Sequence, residues 1–396
     1  MINPSIPGWI TKYFMDLKSY ENIDENTFYE NIRNSGFIYG NIVQFISNNI
    51  KIDNELTNSE LSKIVYLDVV HEAFLLIKKN INQTDFIEKA NAFFESLKPN
   101  RNNFLDKILP KNSAVLNLEN SIDGRIYINE NNFGKNFSNL VTNAFLFVDI
   151  LAFFKFLELG KLPENYLTNI EKSIINIVTI ALKNKSIKSI HDDLLIKLFE
   201  NSVRYTNFSE IKYLTLENLN LDEYENNFEK KYFLDLASLS IWSDKKIENN
   251  EVYFIQKLAE KLNLSDDFAN DSIHKTNEFV EKNRHKISLF NNSNPVKNFY
   301  DQTSQTVTKL IVRNQKRLSK EISQSKELMR LLALSAIRDL DDEEKKKIKK
   351  QLLDICKTIP SLTIFLIPGG SLLLPILIKF IPQLLPSAFN ENLEDE

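Results

Sequence analysis

Apolar residues return every three or four positions through most of the chain, the repeat that turns one face of a helix into a core. Between Leu61 and Lys79 that face is Ile64, Leu67, Val70, His71, Phe74 and Ile77; between Asp85 and Leu97 it is Phe86, Ile87, Ala90, Phe93, Phe94 and Leu97. From Leu140 to Leu159 apolar residues wrap nearly all round, interrupted by Asp149, Lys155 and Glu158. That pattern predicts a central core helix ending at Gly160, a residue that takes the left-handed C′ conformation readily. One stretch departs from the helical repeat. V-L-N-L-E and R-I-Y-I-N alternate apolar and polar residues around Ser121-Ile122-Asp123-Gly124, which predicts a small β-hairpin at about 114–129. Residues 166–290 return to helical spacing, with breaks at 221–227 and at Asn249-Asn250. Val296–Leu334 then reads as a long basic helical arm, with Val307, Leu310, Ile311, Leu318 and Ile322 apolar and Arg313, Lys316, Arg317, Lys320, Lys326 and Arg330 charged.

The pattern changes again near the end. Asp341 and Glu344 have the spacing of a capping box, and the helix they start carries Ile348, Leu352, Ile355 and Cys356 on one face. Lys345, Lys346, Lys347, Lys349 and Lys350 form a basic patch on it, suited to an anionic surface. Thr358–Ile378 follows, twenty-one residues without a charge, between Lys357 and Lys379. As a helix it would reach about 31 Å, close to the hydrocarbon thickness of a bilayer. Prolines punctuate it at Pro360, Pro368, Pro375, Pro382 and Pro386, and Phe365 and Leu374 lie among its apolar positions. The segment 358–389 is therefore read as membrane-inserted. The alternative is a pair of short halves folded on Pro368-Gly369-Gly370 and buried against the rest of the chain. The fold class predicted is mostly all-α: a multi-helix body with one small hairpin and a proline-punctuated apolar C-terminal helical segment. Three parts are expected, at 1–165, 166–292 and 293–396.

Composition narrows the function classes. A formal charge of −4 over 396 residues, with pI near 5.8, excludes a globally basic nucleic-acid binder, so no DNA partner is expected and any polyanion contact is local. Cys356 is the single cysteine, so no intrachain disulfide forms. The N-terminus has neither the basic region nor the apolar run of a secretory signal, and a cytoplasmic body is expected. His71, His191, His274 and His285 lack metal-ligand spacing, and no phosphate-cradling, nucleophile-elbow or zinc-protease motif occurs. With 8 glycines the chain is poor in loops of that kind. No enzyme activity, cofactor or metal is expected.

Two resemblances add to this reading. Phe233–Leu264 resembles the helix pair of TerB-like domains, with Asp244, Ile247 and Glu251 at the turn and second helix start, although Lys245 replaces the usual glycine. More extensively, K-E-L-M-R-L-L, D-L-D-D-E-E-K-K-K-I-K-K-Q-L-L-D-I-C-K-T-I-P and I-P-G-G-S-L-L-L-P-I-L-I-K-F-I-P-Q-L-L-P-S-A-F resemble the membrane region of LETM1-family proteins, over Lys326–Phe389. The opening N-P-S-I-P-G-W-I-T-K-Y-F is similar to the bacterial group of LETM1-related biofilm-associated proteins. The resemblance implies a non-enzymatic adaptor at the bacterial inner membrane. Its implied partners are anionic lipid headgroups, an inner-membrane protein and, from the family's name, the ribosome. Cation/proton exchange is a further implication, but Ser371 stands where the eukaryotic relatives carry the acid before L-L-L-P. The resemblance places the family's ribosome-binding domain C-terminal to the apolar segment, whereas the sequence stops at Glu396, so ribosome binding is implied by the family label more than by the residues present.

Overall fold

The computed structural model describes residues 2–17, 23–46, 56–79, 82–98, 113–126, 144–185, 192, 195–196, 199, 203–206, 215–242, 249–284, 287, 307–338, 340–365, 374, 377–378 and 380–381. Among them every regular element is helical. In chain order these are α1 (Trp9–Asp16), α2 (Glu25–Ser35), a 3₁₀ turn at Phe37–Tyr39, α3 (Asn58–Lys78), α4 (Gln83–Ser96), α5 (Ala114–Arg125), α6 (Leu146–Leu159) and α7 (Tyr166–Lys183). They continue with α8 (Asn227–Ile241), α9 (Asn249–Lys261), α10 (Asp266–Asn283), α11 (Gln315–Gln324), α12 (Lys326–Ile337), α13 (Asp342–Lys357) and a 3₁₀ helix at Pro360–Phe365. Contacts group the chain into two compact units, one of Met1–Ile52, Leu61–Ile128 and Leu140–Asn292, the other of Asp53–Glu60, Asn129–Asn139 and Ser293–Glu396.

In the first unit α8 is the hub. It begins with a capping box between Asn226 and Glu229 and is buried almost continuously from Tyr232 to Ile241, packing on α7, α9, α10 and the 3₁₀ turn. Phe154 and Phe228 stack 5.1 Å apart and Phe28 meets both edge-on at 5.9 and 5.5 Å, joining α2, α6 and α8 into one core. The turn itself depends on Gly36, which ends α2 at φ 80 and donates to the carbonyls of Arg33 and Ile32. A Cβ there would meet the Asn41 carbonyl oxygen and the Phe279 ring, so only glycine fits.

α6 ends on Gly160 in the left-handed conformation, as its sequence predicts. Asp149 is buried at its centre and accepts from Tyr66 Oη (2.8 Å) and Arg125 Nε (2.7 Å), with Arg204 Nη1 3.3 Å away. A second buried carboxylate, Asp235 of α8, accepts from Tyr29 (2.7 Å), Arg33 (2.9 Å) and Ser272 (2.6 Å). Burying a charge requires this degree of satisfaction.

The hairpin expected at about 114–129 is instead α5. Ser113 accepts from the Leu116 N–H (3.2 Å) as its N-cap, and Leu118, Ile122 and Ile126 are buried at i, i+4 and i+8. The alternation that suggests strands comes from Leu116 and Leu118, whereas burial selects the four-residue spacing shared by Leu118 and Ile122. Glu119 on the same helix receives the N–H groups of Gly8 (3.0 and 2.9 Å) and Ile10 (3.0 Å), where α1 begins. A strand would not place Glu119 beside that helix start, where a carboxylate is favoured.

Candidate polyanion-binding face

The second unit supplies the candidate site. The arm expected over Val296–Leu334 is not one helix among the described residues. Residues 307–313 are helical, and Ser325 then separates α11 from α12. The Ser325 N–H closes α11 on the Ile322 carbonyl while its hydroxyl caps α12 at Leu328. Such a residue at ψ 93 cannot continue a helix, so the chain kinks there before running on as α12. Arg317 Nη2 donates to the Thr358 carbonyl (2.6 Å), Ser325 Oγ meets Gln351 (3.2 Å) and Arg338 forks onto Glu344 (2.8 and 2.7 Å). Those contacts run down α13 as the sequence runs up α11 and α12. Both helices therefore lie antiparallel to α13, α11 beside its C-terminal half and α12 beside its N-terminal half.

α13 starts as its sequence predicts. Asp341 accepts from the Glu344 N–H (2.8 Å) and Glu344 accepts from the Asp341 N–H (3.1 Å), a complete capping box. The fork from Arg338 holds the Glu344 carboxyl down at about 2. Ile348, Leu352, Ile355 and Cys356 form the buried face, packed with Leu318, Ile322 and Leu328. Burial pushes the Cys356 thiol up to about 12, so it remains a protonated core residue rather than a nucleophile.

The lysines occupy what remains of the helix. Lys345, Lys346, Lys347, Lys349 and Lys350 are all exposed. At 100° per residue, Lys346, Lys350 and Lys357 fall on the line opposite Ile348, Leu352 and Ile355, with Lys347 and Lys349 on its flanks. Lys357 pairs with Asp354 (2.5 Å), while none of the five forms an ion pair among the described residues. Arg317, by capping the C-terminal carbonyls, places exposed Lys316 and Lys320 of α11 near that end of α13. Between residues 307 and 365 there are fourteen Lys and Arg against eight Asp and Glu, a net +6, whereas the whole chain is −4. The basic character is therefore confined to this stretch, since the second unit as a whole carries 17 Lys and Arg against 17 Asp and Glu.

The rest of the predicted site divides in two. Leu362, Phe365, Leu374, Leu377 and Ile381 are buried in the same core as the apolar face of α13. Pro360 opens the 3₁₀ helix at Pro360–Phe365, where its missing N–H leaves no bond unmade. Pro368, Gly369, Gly370, Ser371, Pro375, Pro382 and Pro386 lie outside the described residues. Among the described residues no helix is long and apolar enough to cross a membrane. Of the expected TerB-like positions, Asp244 and Ile247 lie outside the described residues, and Glu251 is buried in the first turn of α9. His191 and His285 also lie outside them; no group of three or more His, Cys, Asp or Glu among the described residues could hold a metal ion.

Fold and site together define a protein whose described elements are all helical, with a solvated basic helix face over an apolar core. Residues 340–396 match the family described as LETM1-like, RBD, and the chain is similar to that family over this region. No curated protein and no solved structure matches the chain. The match corrects one expectation. The part of the chain assigned to that domain starts at the basic helix and includes the apolar segment, rather than following it. The likenesses to the biofilm-associated group and to TerB-like domains rest on sequence strings alone.

Proposed function

We propose that the protein is a non-enzymatic ribosome-binding protein that docks its second unit on ribosomal RNA through the lysine stripe of α13. The observation that carries this reading is the stripe itself: Lys346 and Lys350 stand exposed on a regular helix, with no ion pair among the described residues, inside the region that matches LETM1-like, RBD. Cations exposed on a regular element suit a phosphate backbone, which supplies most of the affinity in sequence-independent binding. Cosedimentation of the full chain with ribosomes tests it. The wild type is expected in the ribosomal pellet and Lys346→Glu/Lys350→Glu largely in the supernatant. Equal pelleting of both would refute the assignment. Neither lysine touches the core, so the variant should fold normally.

A second reading is favoured by the uncharged run at Thr358–Ile378 directly after the basic helix. On it the protein is an adaptor at the bacterial inner membrane, in biofilm-related surface behaviour, with lysines on anionic headgroups and 358–389 inserted. That requires Leu362, Phe365 and Leu374 to leave the core they share with α13. Alkaline carbonate extraction separates the readings: an inserted chain stays with the membranes, and a packed segment releases the protein.

A further inference from the structure

The first unit carries a cleft between α4 and α5 of about 800 Å³, within the range of small-molecule sites. Arg125 is one of the residues that line it. Arg125 and Arg204 converge on the buried carboxylate of Asp149, and the carboxylate of Glu171 accepts from the backbone N–H groups of Arg204, Tyr205 and Thr206 beside them. Asp149 engages the Nε and Nη2 edge of Arg125 and so takes two of that guanidinium's five N–H donors. The Tyr205 ring lies 5.5 Å beneath the guanidinium and holds it in place, and the side chain lines the cleft at 17 % exposure. Arg204 Nη2 donates to the Arg125 carbonyl (2.7 Å) and fixes the backbone at the same point.

Apolar side chains of Ala92, Phe94 and Leu97 share the lining with polar ones. Asn91, Asn117, Asn120 and Ser121 are among the latter, offering amide donors and acceptors. Asn91 Nδ2 is committed to the Ala114 carbonyl (2.8 Å) and Ser121 Oγ to the Asn117 carbonyl (2.9 Å), contacts that order the walls. At the rim Lys98 and Glu95 pair with each other (2.6 Å) and cancel. The cleft thus includes an ordered guanidinium with N–H donors that Asp149 does not take, beside amide side chains.

We propose that the α4–α5 cleft binds a small molecule carrying an oxyanion, a phosphate monoester or carboxylate, held on the outward edge of Arg125 with Asn117 and Asn120 on its polar body. A planar donor fork is suited to two oxygens of one anion. The site is separate from the lysine stripe of the second unit and does not depend on the ribosome reading.

The test titrates the full chain with inorganic phosphate, and separately with acetate, at ionic strength held constant with KCl, and follows the thermal unfolding midpoint. Asn120 is exposed on the cleft wall, so Asn120→Asp should fold while placing a negative charge beside the anion. The wild type is expected to show a saturable rise with at least one probe, the tighter probe naming the anion class. Asn120→Asp should weaken that binding at least about tenfold, as expected for a like charge at close range. Lys346→Glu/Lys350→Glu should leave it intact. Three results would overturn the proposal: no saturable rise with either probe, an unchanged affinity in Asn120→Asp, or a loss confined to the lysine variant.

Discussion

His71 shows how a residue type with many roles is decided by its surroundings. It is 2 % exposed, with the rings of Phe14 and Phe86 edge-on at 5.3 and 4.7 Å. Burial lowers its imidazole from the ordinary 6.5 to about 3. Between those values the unfolded chain binds a proton that the folded chain does not, so stability falls as the pH is lowered across that window. Urea unfolding at a series of pH values is expected to show a smaller acid-dependent loss for His71→Leu than for the wild type; parallel curves would contradict it. The helical spacing around His71 is enough to place it on a buried face. The partners of Asp235 are another matter. Tyr29 and Arg33 are about two hundred positions away in sequence, and no local pattern announces the contact. Asp235→Ala should cost about 3–5 kcal/mol, because it leaves the buried Arg33 without its innermost counter-charge. Denaturant unfolding measures it.

At the scale of elements, what was legible is what local chemistry decides. The Asp341–Glu344 box and the Gly160 terminus are written in a few adjacent residues, and both form as those residues dictate. α5 and the α11–α12 break were not legible, because each turns on a choice between two locally acceptable states. In α5, Leu118 and Ile122 satisfy either repeat until the core claims the helical one, and Ser113 fixes the start. At Ser325 a single hydroxyl both ends one helix and begins the next, in a stretch that otherwise reads as continuous. Ser113→Ala removes the cap and should destabilise the first unit by about 1 kcal/mol, seen as a lower denaturation midpoint at unchanged slope. If 114–125 did not depend on this cap, the midpoint would not move.

At the scale of the molecule, the chain separates its charges. The region from 307 to 365 is net positive while the second unit as a whole is neutral and the chain net negative, so the attraction for polyanions is local to that stretch. The five lysines of the site were legible in the sequence, since the box upstream and the apolar face of α13 leave them only the solvent side. The apolar segment was not, because an uncharged run has the same composition whether it meets lipid or another helix; its described residues contribute Leu362, Phe365 and Leu374 to a protein core. The most direct measurement is ribosome affinity against salt concentration for the wild type and for Lys346→Glu/Lys350→Glu. If the lysine stripe carries the contact, the logarithm of the association constant falls linearly with that of the salt concentration, and the variant binds more weakly with a slope shallower by about 2. The same affinity and slope in both proteins would show that the ribosome is not held by α13.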